Sequence, residues 1–199
     1  MDINHQHTEH SDGSVKDSNE KASVLTLIAL FNRTFVDYNT RLVLGDDEPI
    51  YLPASKHCDH HQIVFAHGFF SSALHEVAHW CIAGEKRRLM EDYGYWYCPD
   101  GRDEQQQAKF EKVEIKPQAI EWAFTEAAGR QFQVSTDNLN GAEPDREGFT
   151  KNVAAQLAYY RKNGFPDRAQ RFISALATTF NTVTEHETLS TKRVGDNAA

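Results

Sequence analysis

Two histidines four residues apart, with a glutamate directly after the first, are the residues best suited to chemistry. They are His75, Glu76 and His79 in FFSSALHEVAHWCIAGE, residues 69–85. An α-helix turns about 100° per residue, so the two imidazoles lie on one face about one turn apart. Both can reach a single metal ion. The HExxH spacing therefore predicts a metal site on a helix.

A metal site that does chemistry needs a third ligand and open positions for substrate. Three carboxylates compete for that role. Glu114 in FEKVEIKPQAIEW ranks first, because apolar neighbours would hold its side chain in place, and Glu111 ranks second. Glu85 ranks third: it follows His79 by six residues, but Ile82 stands where hydrolases with that spacing have a glycine.

The ligand spacing leaves the chemistry open. In a zinc hydrolase, Glu76 would act as general base on a metal-bound water. Two histidines and a carboxylate with open positions suit iron(II) and oxygen chemistry equally well. A structural zinc site is disfavoured, because the three cysteines lack the spacing that closes such sites. A separate H-x-D pattern, His57-Cys58-Asp59, has the form found in 2-oxoglutarate oxygenases, but so short a pattern in a turn is usually accidental.

The elements around the motif predict an α+β fold, with a small mixed sheet and flanking helices. Apolar spacing predicts a helix from Ala22 to about Phe35 and strands at 41–44, 50–52 and 63–66. Ser71 or Ser72 is expected to cap the HExxH helix and Gly84 to end it. Further along, the sequence predicts a long loop over residues 92–109, a helix from Pro117 to about residue 130, and helices near 146–162 and 166–180.

Length and composition predict one catalytic domain, residues 21–182, between a disordered tail (1–20) and a polar C-terminal tail (183–199). No apolar run approaches the roughly 20 residues that span a bilayer, and no signal peptide is evident, so we expect a cytoplasmic protein. The odd cysteine number favours reduced thiols. The net charge of −8 argues against direct nucleic-acid binding. We interpret the local cluster Lys86-Arg87-Arg88 as a solvated helix end.

Three motifs together resemble the bacterial elongation factor P hydroxylase family: HEVAHWCIAG, GYWYCPDGRD and VEIKPQAIEW. The resemblance covers roughly residues 24–180. It implies a fold similar to that of a metal-dependent endoribonuclease of ribosome maturation. It also implies iron(II) held by His75, His79 and Glu114, with O2 as cosubstrate. The substrate implied is elongation factor P carrying a β-lysyl-modified lysine.

The resemblance also changes the role expected of Glu76. An iron hydroxylase needs no general base, so Glu76 would hydrogen-bond to a metal ligand or hold a substrate amine. The long cationic substrate side chain should meet carboxylates and aromatic faces. The candidates for that pocket are Asp100, Asp103, Tyr95, Trp96 and Tyr97, followed by Asp46, Asp47 and Glu48. The zinc-dependent hydrolase, a peptidase or endoribonuclease, is the alternative function.

Overall fold

Five α-helices and a three-stranded sheet form the described part of the chain, which in this computed structural model covers residues 11–46, 48–92, 101–136, 138 and 140–180. The helices are α1 (Ser11–Thr34), α2 (Phe70–Ile82), α3 (Glu104–Ala127), α4 (Arg146–Asn163) and α5 (residues 167–180). The strands are β1 (Thr40–Leu44), β2 (Ile50–Leu52) and β3 (His61–Phe65). This confirms the predicted α+β class; the likeness to the endoribonuclease fold stays a prediction.

The sheet has β3 at its centre, parallel to β1 and antiparallel to β2. Ile63 pairs with Leu42 on one side and with Tyr51 on the other. All three strands fall within two residues of the predicted runs, because each is a short β-branched or aromatic segment bounded by turn residues. Directly after β3, His67 and Gly68 both have positive φ, which turns the chain toward α2.

The core packs the apolar face of α2 against α1 and α5. Phe31 and Phe35 of α1 meet Trp80 of α2 with ring centroids 5.3 and 4.8 Å apart, and Phe172 of α5 joins both phenylalanines. Leu74 and Val77 of α2 are fully buried. Burial of this face fixes the rotation of α2, so its histidines must point to the opposite side.

The start of α1 differs from the predicted disordered tail. Residues 11–20 are helical, and Glu20 has partners that no local pattern reveals. Its carboxylate accepts hydrogen bonds from Arg130 and from the backbone N–H of Phe70. Phe70 is the first residue of α2, so Glu20 satisfies an N-terminal amide that α2's own sequence leaves open.

The predicted N-terminal cap of α2 is wrong, whereas its predicted C-terminal end is correct to within two residues. Phe69 is the N-cap residue and makes no side-chain capping bond, so neither Ser71 nor Ser72 caps this helix. The helix ends at Ile82, before Gly84. Glu20, which is distant in sequence, accepts the hydrogen bond that an N-cap side chain normally accepts. A rule based on local sequence therefore could not identify the capping residue.

Helix α3 is longer than predicted and begins at Glu104 instead of Pro117. Asp103 and Gln106 form a capping box at its start, with Gln106 N 2.8 Å from Asp103 Oδ1 and Asp103 N 3.0 Å from Gln106 Oε1. Pro117 lies inside the helix, although proline normally breaks one by removing a backbone donor. Pro117 is buried, so tertiary packing stabilises the helix across it.

Helices α4 and α5 match their predicted ranges to within one residue at the ends described. Asp145 caps α4 by accepting a hydrogen bond from the backbone N–H of Gly148. Among the helices that the structure describes, none has the length and apolar character needed to cross a membrane. The predicted tail at residues 183–199 lies outside the described residues.

Candidate metal centre

Two elements bring three ligand-type side chains together: α2 supplies His75 and His79, and α3 supplies Glu114. The Nε2 atoms of the histidines are 3.1 Å apart. Glu114 Oε1 lies 3.2 Å from His79 Nε2, and Glu114 Oε2 lies 3.5 Å from His75 Nε2. The donor atoms of the three residues all lie within 4.8 Å of one another.

These distances match the edges of a metal coordination shell. With metal–ligand bonds near 2.1 Å, neighbouring donors are about 3.0 Å apart in octahedral geometry and about 3.4 Å apart in tetrahedral geometry. Glu114 is almost fully buried, and its Oε2 atom makes no hydrogen bond. A buried carboxylate oxygen without a donor is costly. A cation between the three side chains would satisfy it, so the residues present fit a metal ion.

Glu121 orients the first histidine. Its Oε2 atom lies 2.8 Å from His75 Nδ1, and its side chain is buried. A carboxylate only accepts hydrogen bonds, so Nδ1 of His75 carries the proton. The other ring nitrogen, Nε2, is thereby left to face Glu114 and His79. This carboxylate–histidine contact is the usual support for a metal-bound imidazole.

The cluster is strongly coupled electrostatically. Burial alone would lower the pKa of His75, but the Glu121 hydrogen bond and the charges of Glu121, Glu114 and Glu76 raise it to about 10. Burial alone would raise the pKa of Glu114, but the adjacent imidazoles of His79 and His75 lower it to about 2. The imidazoles and carboxylates of the cluster thus stabilise each other's charged forms. A metal ion bound here would take the place of the proton on His75 Nε2, because a ligating imidazole is neutral.

Glu76 differs from the other carboxylates of the site. It is half-buried and lines the same cleft as His75 and His79. Burial, opposed by the two histidines and reinforced by Glu114 and Glu121, raises the pKa of Glu76. Within the described part of the chain, its carboxylate makes no hydrogen bond or ion pair. It is therefore available to a ligand in the cleft.

The ligands lie at the wall of a cleft of about 960 Å³. Its walls include parts of β2 and β3, the two helices that carry the candidate ligands, and the segment after α3. Aromatic and proline surfaces from Tyr51, Phe69, Phe110 and Pro117 line it beside the carboxylates. A volume of this size accommodates an extended side chain or small molecule next to the three ligands.

Comparisons with known proteins identify the family of this chain. A family model described as "Elongation factor P hydroxylase" matches residues 30–190. The curated protein "Elongation factor P lysine hydroxylase" of Haemophilus influenzae is 52% identical over 157 residues, which covers 78% of this chain and 88% of that protein. This chain belongs to the elongation factor P hydroxylase family. The family resemblance predicted from the three sequence motifs is confirmed.

In this family member, the two other carboxylates considered as ligands lie away from the metal centre. Glu111 is partly buried and accepts a hydrogen bond from Gln107 Nε2 at 2.9 Å. Glu85 is exposed, beyond the end of α2, and is not among the residues that line the cleft.

The predicted substrate-binding residues are only partly described in this hydroxylase-family chain. Tyr95, Trp96, Tyr97, Asp100 and Asp47 lie outside the described residues. Asp103 is exposed and acts as the N-cap of α3, which gives it a structural role, and it does not line the cleft. Asp46 is exposed, whereas Glu48 lines the cleft.

The structure also describes two other sequence patterns, the basic cluster after α2 and the H-x-D pattern. Lys86-Arg87-Arg88 follows α2; Arg87 pairs with Asp92, and Arg88 donates to the carbonyl of Ala83 at 2.7 Å. The interpretation of this cluster as a solvated helix end is therefore wrong for Arg87 and Arg88, whereas Lys86 is exposed. The H-x-D pattern lies in the β2–β3 connection, where Cys58 and Asp59 group with His60 and His57 does not join them.

Sequence reasoning missed Glu121 and the regularity behind it. Polar residues recur along α3 at steps of three and four, which places them on one buried or partly buried face. We call them the polar stripe: Gln107, Glu111, Glu114, Gln118, Glu121 and Thr125. Starting the helix at Pro117 hid this spacing. His67, which also lines the cleft, had no sequence signal beyond its residue type.

Proposed function

We propose that this chain is a non-haem iron hydroxylase that acts on the β-lysyl-modified lysine of elongation factor P. The observation that carries the proposal is the buried Glu114 oxygen without a donor, facing two imidazoles at the wall of an open cleft. The name of the Haemophilus influenzae relative supports the class of reaction and the substrate protein. Because the substrate is a translation factor, we place the reaction in the cytoplasm.

His75, His79 and Glu114 would hold the iron from one side. Iron(II) in a 2-His-1-carboxylate site supplies activation of O2, so that one oxygen atom enters a C–H bond of the substrate. The chain's own contribution is to fix the ligands, through Glu121 on His75, and to admit the substrate side chain along the cleft. The electron donor would have to be supplied from outside the chain.

Glu76 would then hold the substrate instead of activating water. The modified lysine ends in amines, and the Glu76 carboxylate faces the cleft without a partner among the described residues. An ammonium group placed there would form a charge-assisted hydrogen bond. Glu48 is a second carboxylate that reaches the cleft. Asp100 and the aromatic residues Tyr95, Trp96 and Tyr97 stay proposed substrate contacts, whereas the capping role of Asp103 makes it a weak one.

The direct test uses purified, iron-loaded protein and β-lysylated elongation factor P under air with a reductant. Mass spectrometry of the modified peptide should show the gain of one oxygen atom. The Glu114→Ala variant should give no gain, whereas Glu85→Ala, which removes an exposed carboxylate, should match the wild type. An unchanged mass with fully iron-loaded wild-type protein contradicts the proposal.

A zinc hydrolase remains the alternative, since HExxH also fits a metal-bound water with Glu76 as general base. The Glu76→Gln variant separates the two. A hydrolase should lose nearly all turnover with its metal retained. The hydroxylase should instead show a higher KM for the modified protein, because one contact to the substrate amine is weakened.

A further inference from the structure

A row of lysines follows the outer edge of α3 beside the metal centre. Lys109, Lys112 and Lys116 are spaced by three and four residues, so they lie on one side of the helix. All three are exposed, and Lys112 and Lys116 line the cleft. We call these three residues the lysine row.

The lysine row has no counter-charge within the described part of the chain. Arg87, another cleft residue, is paired with Asp92, but none of the three lysines makes an ion pair with a described residue. Like charges at these spacings destabilise a helix. In a chain with 29 acidic and 21 basic residues, acidic partners are plentiful. The lysine row is therefore a positively charged strip at the edge of the cleft, without a carboxylate partner among the described residues.

The interior of the cleft has the opposite charge. Glu76 and Glu121 line it beside the candidate ligand Glu114. A partner that fits both regions must carry a positive group at the end of the side chain that enters the cleft. It must also carry negative groups on the surface around the base of that side chain, where they meet the lysine row. Phe69 and Ile82, which are 59% and 37% exposed, add apolar contact area to the cleft lining. A polar, solvent-accessible rim beside apolar surface is the arrangement found at protein–protein interfaces.

We propose that the lysine row binds an acidic surface of elongation factor P that surrounds the modified lysine. This inference rests on the proposed function, because it takes elongation factor P as the substrate. The cationic side chain would enter the acidic cleft, while acidic residues at its base meet the lysine row. A nucleic acid is negative throughout, so it would match the row but be repelled by the cleft interior and by the net charge of −8.

The test reverses charge in the row and measures binding and turnover separately. The double variant Lys112→Glu, Lys116→Glu is compared with Lys56→Glu, Lys162→Glu. The control pair is exposed, makes the same change in net charge and does not line the cleft. Binding of fluorescently labelled, β-lysylated elongation factor P is measured by anisotropy at low and high salt. Circular dichroism and metal content verify that each variant is folded and loaded.

We expect the row variant to raise the Kd and the KM by about tenfold or more at low salt, with a flatter salt dependence. The control pair should stay within about twofold of the wild type. The neutral variant Lys112→Gln, Lys116→Gln should fall between the wild type and the charge reversal. A Kd for the row variant equal to that of the control pair overturns the proposal.

Two other outcomes are also decisive. If the wild type binds a single-stranded RNA oligomer, the row variant loses this binding, and the Kd for elongation factor P is unchanged, the row is a nucleic-acid site and the proposal is wrong. If the wild type binds elongation factor P through the row but adds no oxygen, the docking proposal stands and the hydroxylase proposal fails. The binding and mass measurements thus separate the two proposals.

Discussion

The polar stripe of α3 contains two clusters with opposite properties. Toward the N-terminus, Gln107 accepts a hydrogen bond from Arg102 Nε at 2.9 Å and donates to Glu111 and to the carbonyl of Thr136. Farther along, Glu114 has an oxygen with no donor, although it is as deeply buried as Arg102. The first cluster is complete within the chain, and the second is not.

This difference separates a structural role from a functional one. Buried polar groups are expected to have partners, because leaving one unsatisfied costs roughly 1–3 kcal/mol. The Arg102 cluster meets this expectation: its backbone N–H also donates to Asn138, and its guanidinium stacks 3.8 Å from the Phe110 ring. Glu114 does not meet it, since its Oε2 atom has no donor, and a cation bound between Glu114 and the two imidazoles would satisfy that oxygen. Replacing Glu114 should therefore impair metal binding and activity, whereas replacing Arg102 should lower the stability of the fold.

Replacing Glu114 by alanine should have the largest effect on the metal centre. The two histidines alone would hold the ion weakly, so we expect metal affinity to fall by more than about 100-fold. Competition with a chromophoric chelator measures the Kd, and Glu85→Ala serves as the exposed control. Retention of metal by the Glu114 variant at wild-type affinity would show that the three-residue cluster is not the metal centre.

Replacing Arg102 by alanine should instead destabilise the fold. It removes a buried side chain and leaves Gln107 Oε1 and the Thr136 carbonyl short of a donor, so we expect a loss of about 2–4 kcal/mol in the free energy of unfolding. Urea unfolding provides the measurement. Arg161→Ala, which removes an exposed pair with Glu126, should cost less than about 1 kcal/mol.

The same Arg102 variant also tests the separation of roles. Its folded fraction should keep metal affinity within about threefold of the wild type, because no metal ligand contacts this cluster. If the Arg102 variant loses metal binding but keeps normal stability, the Arg102 cluster contributes to the metal centre and the two clusters do not have separate roles.

Much of this architecture was accessible from sequence because the signals were local. The strands follow β-branched runs, and the four-residue spacing of His75 and His79 fixes their common face once the strip Leu74, Val77 and Ala78 is buried. Glu114 was also selected from sequence, on its apolar neighbours. The predictions that were wrong concerned features set by contacts between distant segments. These are the capping of α2 by Glu20 and the continuation of α3 through Pro117.

The same failure explains why Glu121 was missed. A helix that starts at Pro117 contains Glu121 but not Glu114, so their spacing of seven residues carries no meaning. Once α3 begins at Glu104, the two carboxylates lie two turns apart on one face. The capping box of Asp103 and Gln106 was the local signal that could have corrected the start.

Replacing Glu121 should have an intermediate effect on metal binding. Without the carboxylate, His75 loses the acceptor that fixes its ring and keeps the proton on Nδ1, so Glu121→Ala should weaken metal affinity about 10- to 100-fold. Glu121→Gln should weaken it less, because the amide oxygen still accepts the bond. Isothermal titration with the metal measures both Kd values.

Glu126→Ala is the matched control for this experiment, since it removes an exposed carboxylate from the same helix. Wild-type affinity in Glu121→Ala would mean that packing alone orients His75. In that case Glu121 would belong with the structural cluster and not with the metal centre.

Replacing Glu111 should have the smallest effect, and it tests where the boundary between the clusters lies. Glu111 is only three residues from Glu114, but its contact is with Gln107 in the complete cluster. We expect Glu111→Ala to cost about 0.5–1.5 kcal/mol in the free energy of unfolding, the usual worth of one hydrogen bond. Metal affinity, measured by the same chelator competition, should stay within about twofold because Glu111 does not reach the imidazoles. If Glu111→Ala releases the metal and Glu114→Ala retains it, the ligand assignment is reversed, and the unpaired oxygen of Glu114 needs another explanation.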